Sequence, residues 1–510
     1  EKIPEIVVDS FPSLGRLVAA RFIEWAQRNP GGVVSLPTGK TPEHFIKWVE
    51  YILLNWRAQQ TRRLLEKWLI DPGHRPDIGS LHFVQIDEFY PIEPTQHNSF
   101  YYYVNKFYMG SFGLDARKGM FMDCSRIGLK AGESLKSFWP RMKVDLSLRT
   151  RSARTAQERR QKDLIRRIDE WCRDYEGRIA KLGGIGFFLG GIGPDGHIGF
   201  NCRGSDHNSI TRLTETNYET QAAAAADLGG IEISRSRLVI TIGLKTITRN
   251  RNCTAIVMAA GEAKAGVVAD AVQNNPDRRY PATVLQRLPN ARFYITSGAA
   301  KNLAARQLYL ARQMKSLDAA QIEKIVVDLS VSKQKTIESL TTSDFVGDPF
   351  ASLLLRKKVG TVEGIKRRVH DSLAGKVEYG CRSFVHTRFL HTEPHHDDLL
   401  LGCLPAIVCN GAAKSNTHLF ATMTSGFNAV TNDFMRARLG NLIHLLRNRQ
   451  FLGEVKRGAC SPTSGADRDV DVSMYLDGVA ANDARRRDWA VSRRLLRNLM
   501  EAGKTEDLRR

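Results

Sequence analysis

The sequence predicts an α/β protein: a doubly wound, mostly parallel sheet, followed by a second and smaller α/β domain, either truncated at Arg510 or with an incomplete metal site. Three observations carry this. Short apolar runs recur along the first 300 residues, separated by helical stretches, as parallel strands covered on both faces require. Two of these runs end in glycine- or threonine-rich turns that open helices. A new strand-like pattern starts near Arg388. A chain of 510 residues and 57.2 kDa has room for two to four domains at ~100–200 residues each.

In chain order, Gly32 to Leu36 reads as the first strand, followed by the turn Pro37-Thr38-Gly39-Lys40-Thr41-Pro42 and a helix from Glu43 to about Leu65. Leu81 to Ile86 is the second strand. Ile185 to Leu189 is the third, ending in a glycine-rich turn, and Leu238–Ile242, Thr254–Ala259 and Ala291–Thr296 complete the set. These segments place one domain over 1–298, a helical connector over 299–382 and the second domain over 383–510. In the latter, strands near Arg388 and at His418–Thr424 precede a helix from Val430 to Arg447.

Lys plus Arg number 75 against 54 Asp plus Glu, a net charge of +21, which favours anionic partners. Arg149 to Arg167 holds eight Lys/Arg with only Glu158 and Asp163 as acids. It reads as a solvated insertion or exposed helix. No aromatic residues interleave with its charges, which weakens an RNA-stacking reading, so nucleic acid ranks last among partners. The eight cysteines are scattered without a CxxC pair, which fits a reducing, cytoplasmic compartment. No run of 18 apolar residues predicts a membrane span. The first residues, Glu1-Lys2-Ile3-Pro4, show no signal-peptide pattern, and the missing initiator Met suggests a fragment or trimmed product.

Three segments carry chemistry. In Gly190 to Asn201, GGIGPDGHIGFN, glycines let backbone amides approach a ligand, and Asp195 sits two residues from His197, where a carboxylate can set the tautomer of an imidazole. In Leu36 to Pro42, Thr38, Gly39 and Thr41 offer hydroxyls and amides at a helix N-terminus, without the spacing of a Walker A loop. Gln85 to Tyr90, QIDEFY, ends a strand with two adjacent acids, Asp87 and Glu88. Each alone also reads as an ordinary turn or cap.

These motifs, with GEAKAGVV at Gly261–Val268, occur in the order found in glucosamine-6-phosphate deaminases, and the first 300 residues resemble that family. The resemblance implies a doubly wound parallel sheet and conversion of glucosamine 6-phosphate and water to fructose 6-phosphate and ammonia, with no metal or organic cofactor. It implies a sugar phosphate as partner and, since the family is often oligomeric, a homo-oligomer. By position, Asp87 matches the general base moving a proton between C2 and C1. His197 matches the residue that helps open the pyranose ring, with Asp195 as its carboxylate partner. Thr38, Gly39, Thr41 and Gly191 match substrate-binding backbone and hydroxyls, and Lys264 a phosphate-binding lysine.

The chain departs from the family at named places. Cys202 stands where the family has a Glu that completes the relay with the histidine, and no Arg lies between Arg212 and Arg235, where the family has a phosphate contact. Lys40 replaces a glycine and is a substitute source of phosphate charge, and inserts occupy about 52–80 and 141–167. Two alternatives therefore stand beside the deaminase: a 6-phosphogluconolactonase-like hydrolase, which does not need the missing Glu, and a sugar-phosphate-binding regulator with weak catalysis.

In the C-terminal part, Thr392 to Leu399, TEPHHDDL, resembles the PHPDD motif of PIG-L/LmbE-like zinc de-N-acetylases. The resemblance implies zinc held by His395 and Asp398, with Asp397 as base, and His396 in place of a Pro. Thr422 to Asn432 resembles the second strand and turn of that family. Its third ligand, a distant His, has no counterpart beyond His444.

Overall fold

The computed structural model describes the chain apart from residues 40, 141, 229–230, 396, 424–431, 482 and 504–510, and the side chains of 226–227, 231–233, 432–433, 480 and 502. Lys40, His396 and most of Thr422–Asn432 thus lie outside the described residues. The chain divides into two units, Glu1–Cys381 and Arg382–Arg510.

In the first unit, among the described residues, seven strands form one parallel sheet. They are β1 (Glu5–Val8), β2 (Val33–Ser35), β3 (His82–Val84), β5 (Gly119–Met120), β6 (Phe187–Gly191), β9 (Thr254–Ala259) and β10 (Ala291–Thr296), in the order β1-β10-β9-β6-β2-β3-β5. Alternation along the strands builds a core on each face. Phe187, Leu189, Ile256 and Met258 point into one layer and Phe188, Ala255 and Val257 into the other. The first layer is closed by helices Phe11–Arg28 and Glu43–Leu54, whose Phe22 and Phe45 meet edge to face, with Phe22 also against Phe187. The second is closed by helix Ala156–Lys181 through Leu164, Ile168 and Tyr175.

Two predicted features are corrected. Leu238–Thr241 (β8) does not join the parallel sheet. It lies between β4 (Asp87–Tyr90) and β7 (Arg212–Thr214) in an antiparallel sheet. The chain leaves the main sheet at Gln85, whose side chain donates to Asp87 O (2.8 Å) and accepts from Met122 N (2.9 Å), so Asp87 opens a new strand instead of closing the old one. The predicted helix over 43–65 breaks after Leu54 and resumes over Gln59–Lys67. Strands β1 and β5, not predicted, pair at the two edges of the sheet.

The basic stretch 149–167 is part of a helix and its approach, and its charges are spent locally. Arg149 pairs with Asp169, Arg151 with Asp145 and Glu158, Arg166 with Asp163 and Glu170, and Arg167 with Glu133, while Arg160 and Arg167 lie over Phe138. Helices between Ala304 and Gly380 gather a separate apolar cluster around Val326, Phe345, Leu354 and Ile365.

The second unit pairs β11 (Arg388–Glu393) with β12 (Thr417–Thr422) in parallel and adds helices Asn432–Leu445, Arg449–Lys456, Gly465–Ala480 and Ala484–Ala502. Its helical part is organised by charge. Arg497 is fully buried, pairs with Asp471 and donates to the Ala459 and Ser461 carbonyls. Arg493 bridges Asp471 (2.7 Å) and Glu454 (2.6 Å). Removing one partner of a buried pair strands the other charge, so Asp471→Ala is expected to destabilise this unit by about 3–5 kcal/mol. Amide hydrogen exchange over 484–502 in the full chain measures it, and protection equal to the parent would contradict the role given to Asp471.

Candidate active site

The strand order reverses between β2 and β6: successive strands run one way through β3 to β5 and the other way through β9 to β10. In open α/β sheets the crevice beyond the carboxyl ends of such a pair is where ligands bind. Both motif turns leave the sheet there, 37–42 from β2 and the glycine-rich turn from β6. Between them lies a cavity of about 290 Å³ lined by Thr38, Thr41, Asp87, Gly190, Gly191 and His197, with Ile86, Phe89, Phe100 and Phe200 forming an apolar wall.

The 37–42 turn is held from below. Tyr103 donates its hydroxyl proton to Gly39 O (2.9 Å) and Tyr108 to Pro37 O. Gly39 has φ +82°, a left-handed conformation that costs glycine little. Pro42 caps the following helix without a side-chain bond, which leaves amides at its start open to an anion. Gly191 packs against Thr41, with space for a Cβ at 3.4 Å from its side chain. Lys264 donates to Ile192 O (2.8 Å) on the cavity wall.

Across the cavity, β4 presents its two acids to different surroundings. Glu88 is fully buried and accepts from Phe89 N (2.9 Å), Phe100 N (3.0 Å), Tyr101 N (2.7 Å) and Ser99 Oγ (2.7 Å). Burial pushes it up to about 7 against the pull of those four donors. Asp87 sits on the cavity and, among the described residues, has no such set of donors. Burial first, and Glu88 beside it, push its carboxyl up to about 8, only partly offset by His197.

His197 is oriented from behind. Its Nδ1 bonds Asp195, which also accepts from Arg203 N (2.8 Å) and Asn217 Nδ2 (2.6 Å). Burial disfavours the imidazolium, but the Asp195 carboxylate and the Cys202 thiol outweigh it and push His197 up to about 9. Burial would raise Cys202, but the imidazole beside it pulls its thiol below the ordinary range. Burial likewise would raise Asp195, and the histidine holds it well below the usual carboxylate range. With Nδ1 occupied, Nε2 is the nitrogen left for chemistry.

The structure therefore brings Thr38, Thr41, Asp87, Gly191 and His197 to one cavity, with Gly39 in the adjoining turn, Asp195 behind the histidine and Lys264 behind the wall. Sequence reasoning did not single out Thr220, Asn217, Arg203 or the aromatic trio Phe89, Phe100 and Phe200, whose ring centroids lie 5.0–6.1 Å apart. Asn217 and Thr220 flank the alanine run, and Ala223 and Ala224 of that run line the cavity. A polar pair at the start of a helix of small residues was the available signal.

In the second unit, the side chains expected to hold zinc are differently engaged. The His395 imidazole bonds Asp397 (2.6 Å), the expected base, whereas Asp398 accepts from the His395 backbone N–H (2.9 Å). Among the described residues these three do not bring three potential ligand atoms together, and His418 is stacked on His391 instead (2.9 Å between ring nitrogens). Among the described residues His395, Asp397 and Asp398 are thus engaged with one another, and His396 lies outside those residues.

No family model matches the chain. In sequence it is 36% identical over 138 residues to the glucosamine-6-phosphate isomerase of Candida albicans, covering 27% of this chain and 55% of that protein. It is 38% identical over 143 residues to the glucosamine-6-phosphate deaminase of Corynebacterium urealyticum, covering 28% and 54%. The chain thus spans about half the length of these curated relatives. Over 302 residues it is 29% identical to the glucosamine-6-phosphate deaminase of Rhodopirellula baltica, covering 59% of this chain and 96% of that one. In sequence the chain is thus similar to glucosamine-6-phosphate deaminases. Among solved structures, a monomeric glucosamine-6-phosphate deaminase aligns with a TM-score of 0.45 and 20% identity over 59% of this chain and 100% of that one. The 6-phosphogluconolactonase of Trypanosoma cruzi aligns with a TM-score of 0.39 and 17% identity over 59% and 97%.

One glycine of the deaminase-like turn is required by the histidine. A Cβ at Gly193 would lie 2.0 Å from His197 Cε1, so Gly193→Ala must turn the ring away from Asp195. The expected outcome is an imidazole titrating lower than in the parent protein, read by NMR of the histidine ring protons. An unshifted titration would show that the ring is not held by this contact.

Proposed function

We propose that the N-terminal unit deaminates an amino-sugar phosphate, converting glucosamine 6-phosphate and water to fructose 6-phosphate and ammonia. The observation that carries this reading is one cavity walled by two groups of opposite preparation: Asp87, a buried carboxyl without a set of donors, and His197, an imidazole backed by Asp195. An aldose–ketose shift needs both kinds of group. The imidazole relays a proton from the sugar's anomeric hydroxyl to the ring oxygen and opens the ring. Asp87 then takes the proton from C2 as the ammonium nitrogen gives a proton to O1, forming an enolamine, and returns the first proton to C1, which leaves an iminium at C2. Water adds to that carbon and ammonia departs, so atoms and charge balance. Thr38 and Thr41 receive the phosphate, with Lys264 close behind Ile192.

The unpartnered Asp87 supports the deaminase over the lactonase, because ester hydrolysis uses no carbon-bound proton. Buried free thiols at Cys124, Cys172 and Cys253 support a reducing, cytoplasmic setting, and no described helix is long and apolar enough to cross a membrane. For the second unit we propose no reaction step, since His395, Asp397 and Asp398 do not present a joint metal site.

Asp87→Asn is expected to lower coupled formation of ammonia and fructose 6-phosphate by at least ~10²-fold, the usual worth of a positioned base. Full turnover in that variant, or calorimetric binding of the sugar phosphate without any turnover in the parent, would rule the reading out. The pH profile follows from the raised carboxyl. Asp87 acts as base only when ionised, so kcat/KM rises through about pH 8 and drops about tenfold per unit below it. A profile already flat from pH 6 would deny Asp87 that role.

A further inference from the structure

Three side chains with metal-ligating atoms converge behind the cavity. A carboxylate oxygen of Asp195, a ring nitrogen of His197 and Sγ of Cys202 all lie within 4.8 Å of one another. Asp195 and Cys202 are buried and His197 is partly exposed. A fourth oxygen closes the group: Thr220 Oγ1 lies 3.2 Å from His197 Nδ1 and 3.5 Å from Cys202 Sγ. His197 and Thr220 also line the cavity, whereas Asp195 and Cys202 do not, so the cluster borders the substrate space from behind the imidazole. Cys202 is followed by the exposed Arg203 and Gly204, which give a short path from solvent.

The donor set has a definite chemical preference. One thiolate, one imidazole and one carboxylate suit a borderline-soft cation that accepts tetrahedral geometry, whereas Mg²⁺ and Ca²⁺ want oxygen donors alone. A tetrahedral ion at ~2.0–2.3 Å from each donor needs the His197–Asp195 contact to open by only about 1 Å.

We propose that Asp195, His197 and Cys202 bind one soft divalent cation of the zinc class, with Thr220 Oγ1 or water as fourth ligand, and that occupancy halts turnover. Ligation forms metal–nitrogen, metal–sulfur and metal–oxygen bonds. It releases the proton held between His197 and Asp195, and the thiol proton, to solvent. An imidazole whose Nδ1 carries a metal has lost the carboxylate that prepares it to relay a proton. Because the cation takes the imidazole at Nδ1, it lowers kcat from the edge of the cavity that His197 and Thr220 line. The inhibitory half rests on the deaminase reading, and the binding half does not.

Cobalt(II) serves as the probe, because a thiolate ligand gives it a sulfur-to-metal charge-transfer band. The full chain carries serine at the exposed Cys381, Cys403 and Cys409, which would otherwise compete for metal. The expected result is one equivalent of cobalt bound with that band, displaced by zinc. Cys202→Ser abolishes the band and weakens zinc by about 100-fold or more, and Cys202→Glu, which restores an oxygen donor, binds cobalt without a sulfur band and controls for folding. A band that survives Cys202→Ser, or no stoichiometric binding by the parent, overturns the site. Zinc-saturated protein that still releases ammonia at the parent rate overturns the inhibition alone. Binding by a chain that never turns over glucosamine 6-phosphate would leave the site standing and remove the deaminase reading.

Discussion

One buried carboxylate organises the cavity. Asp195 is 1% exposed and accepts from three segments: the His197 ring in its own turn, the Arg203 amide in the loop that follows, and Asn217 at the start of the alanine-rich helix. A buried charge tolerates nothing less, because each missing donor would cost the full desolvation of an acceptor. The glycine-rich turn, the 202–217 loop and the helix carrying Thr220, Ala223 and Ala224 are therefore fixed together by the same two oxygens. The imidazole is placed by that requirement as much as by its own packing over Gly193.

The opposite arrangement holds on β4. Glu88 and Asp87 are adjacent, and strand geometry sends them to opposite sides. Glu88 finds three amides and a hydroxyl, and its role is to tie β4 to the helix beginning at Phe100. Among the described residues Asp87 has none of these donors, so burial raises it further than Glu88, whose donors offset part of the same cost. A carboxyl held in that condition binds a proton readily at neutral pH, which is what a base returning a proton to carbon requires. Strain of this kind belongs to function, since a polar partner for Asp87 would relieve it at once.

Much of this was legible in the chain. The apolar runs at 32–36, 81–86, 185–189, 254–259 and 291–296 all lie on the parallel sheet, because period and length leave little choice for buried strands. Asp195 and His197 were legible because so many glycines around an Asp-Gly-His are hard to explain by turn geometry alone. The fate of 238–242 was not. An apolar run looks the same whether it enters a parallel sheet or an antiparallel one, and the deciding contact is Gln85, a residue 153 positions earlier that turns the chain out of β3. The break after Leu54 and the aromatic wall were hidden for a similar reason, since both depend on neighbours distant in sequence. In the second unit the letters His-His-Asp-Asp suggest ligands, and among the described residues His395 bonds Asp397 beside it.

Position 202 shows how a family change is absorbed. A Glu there would set a second carboxylate beside Asp195 at the same imidazole. The thiol is smaller and softer, and it keeps contact with Thr220 as well as the ring. The imidazolium still has Asp195 at Nδ1, so the group proposed to open the ring keeps that partner and its raised affinity for a proton. What changes is the kind of cation the pocket behind the ring prefers. A two-carboxylate site favours a proton or a hard ion, and a carboxylate–imidazole–thiolate site favours a soft one. The substitution therefore bears less on whether the histidine can be charged than on what can compete for it.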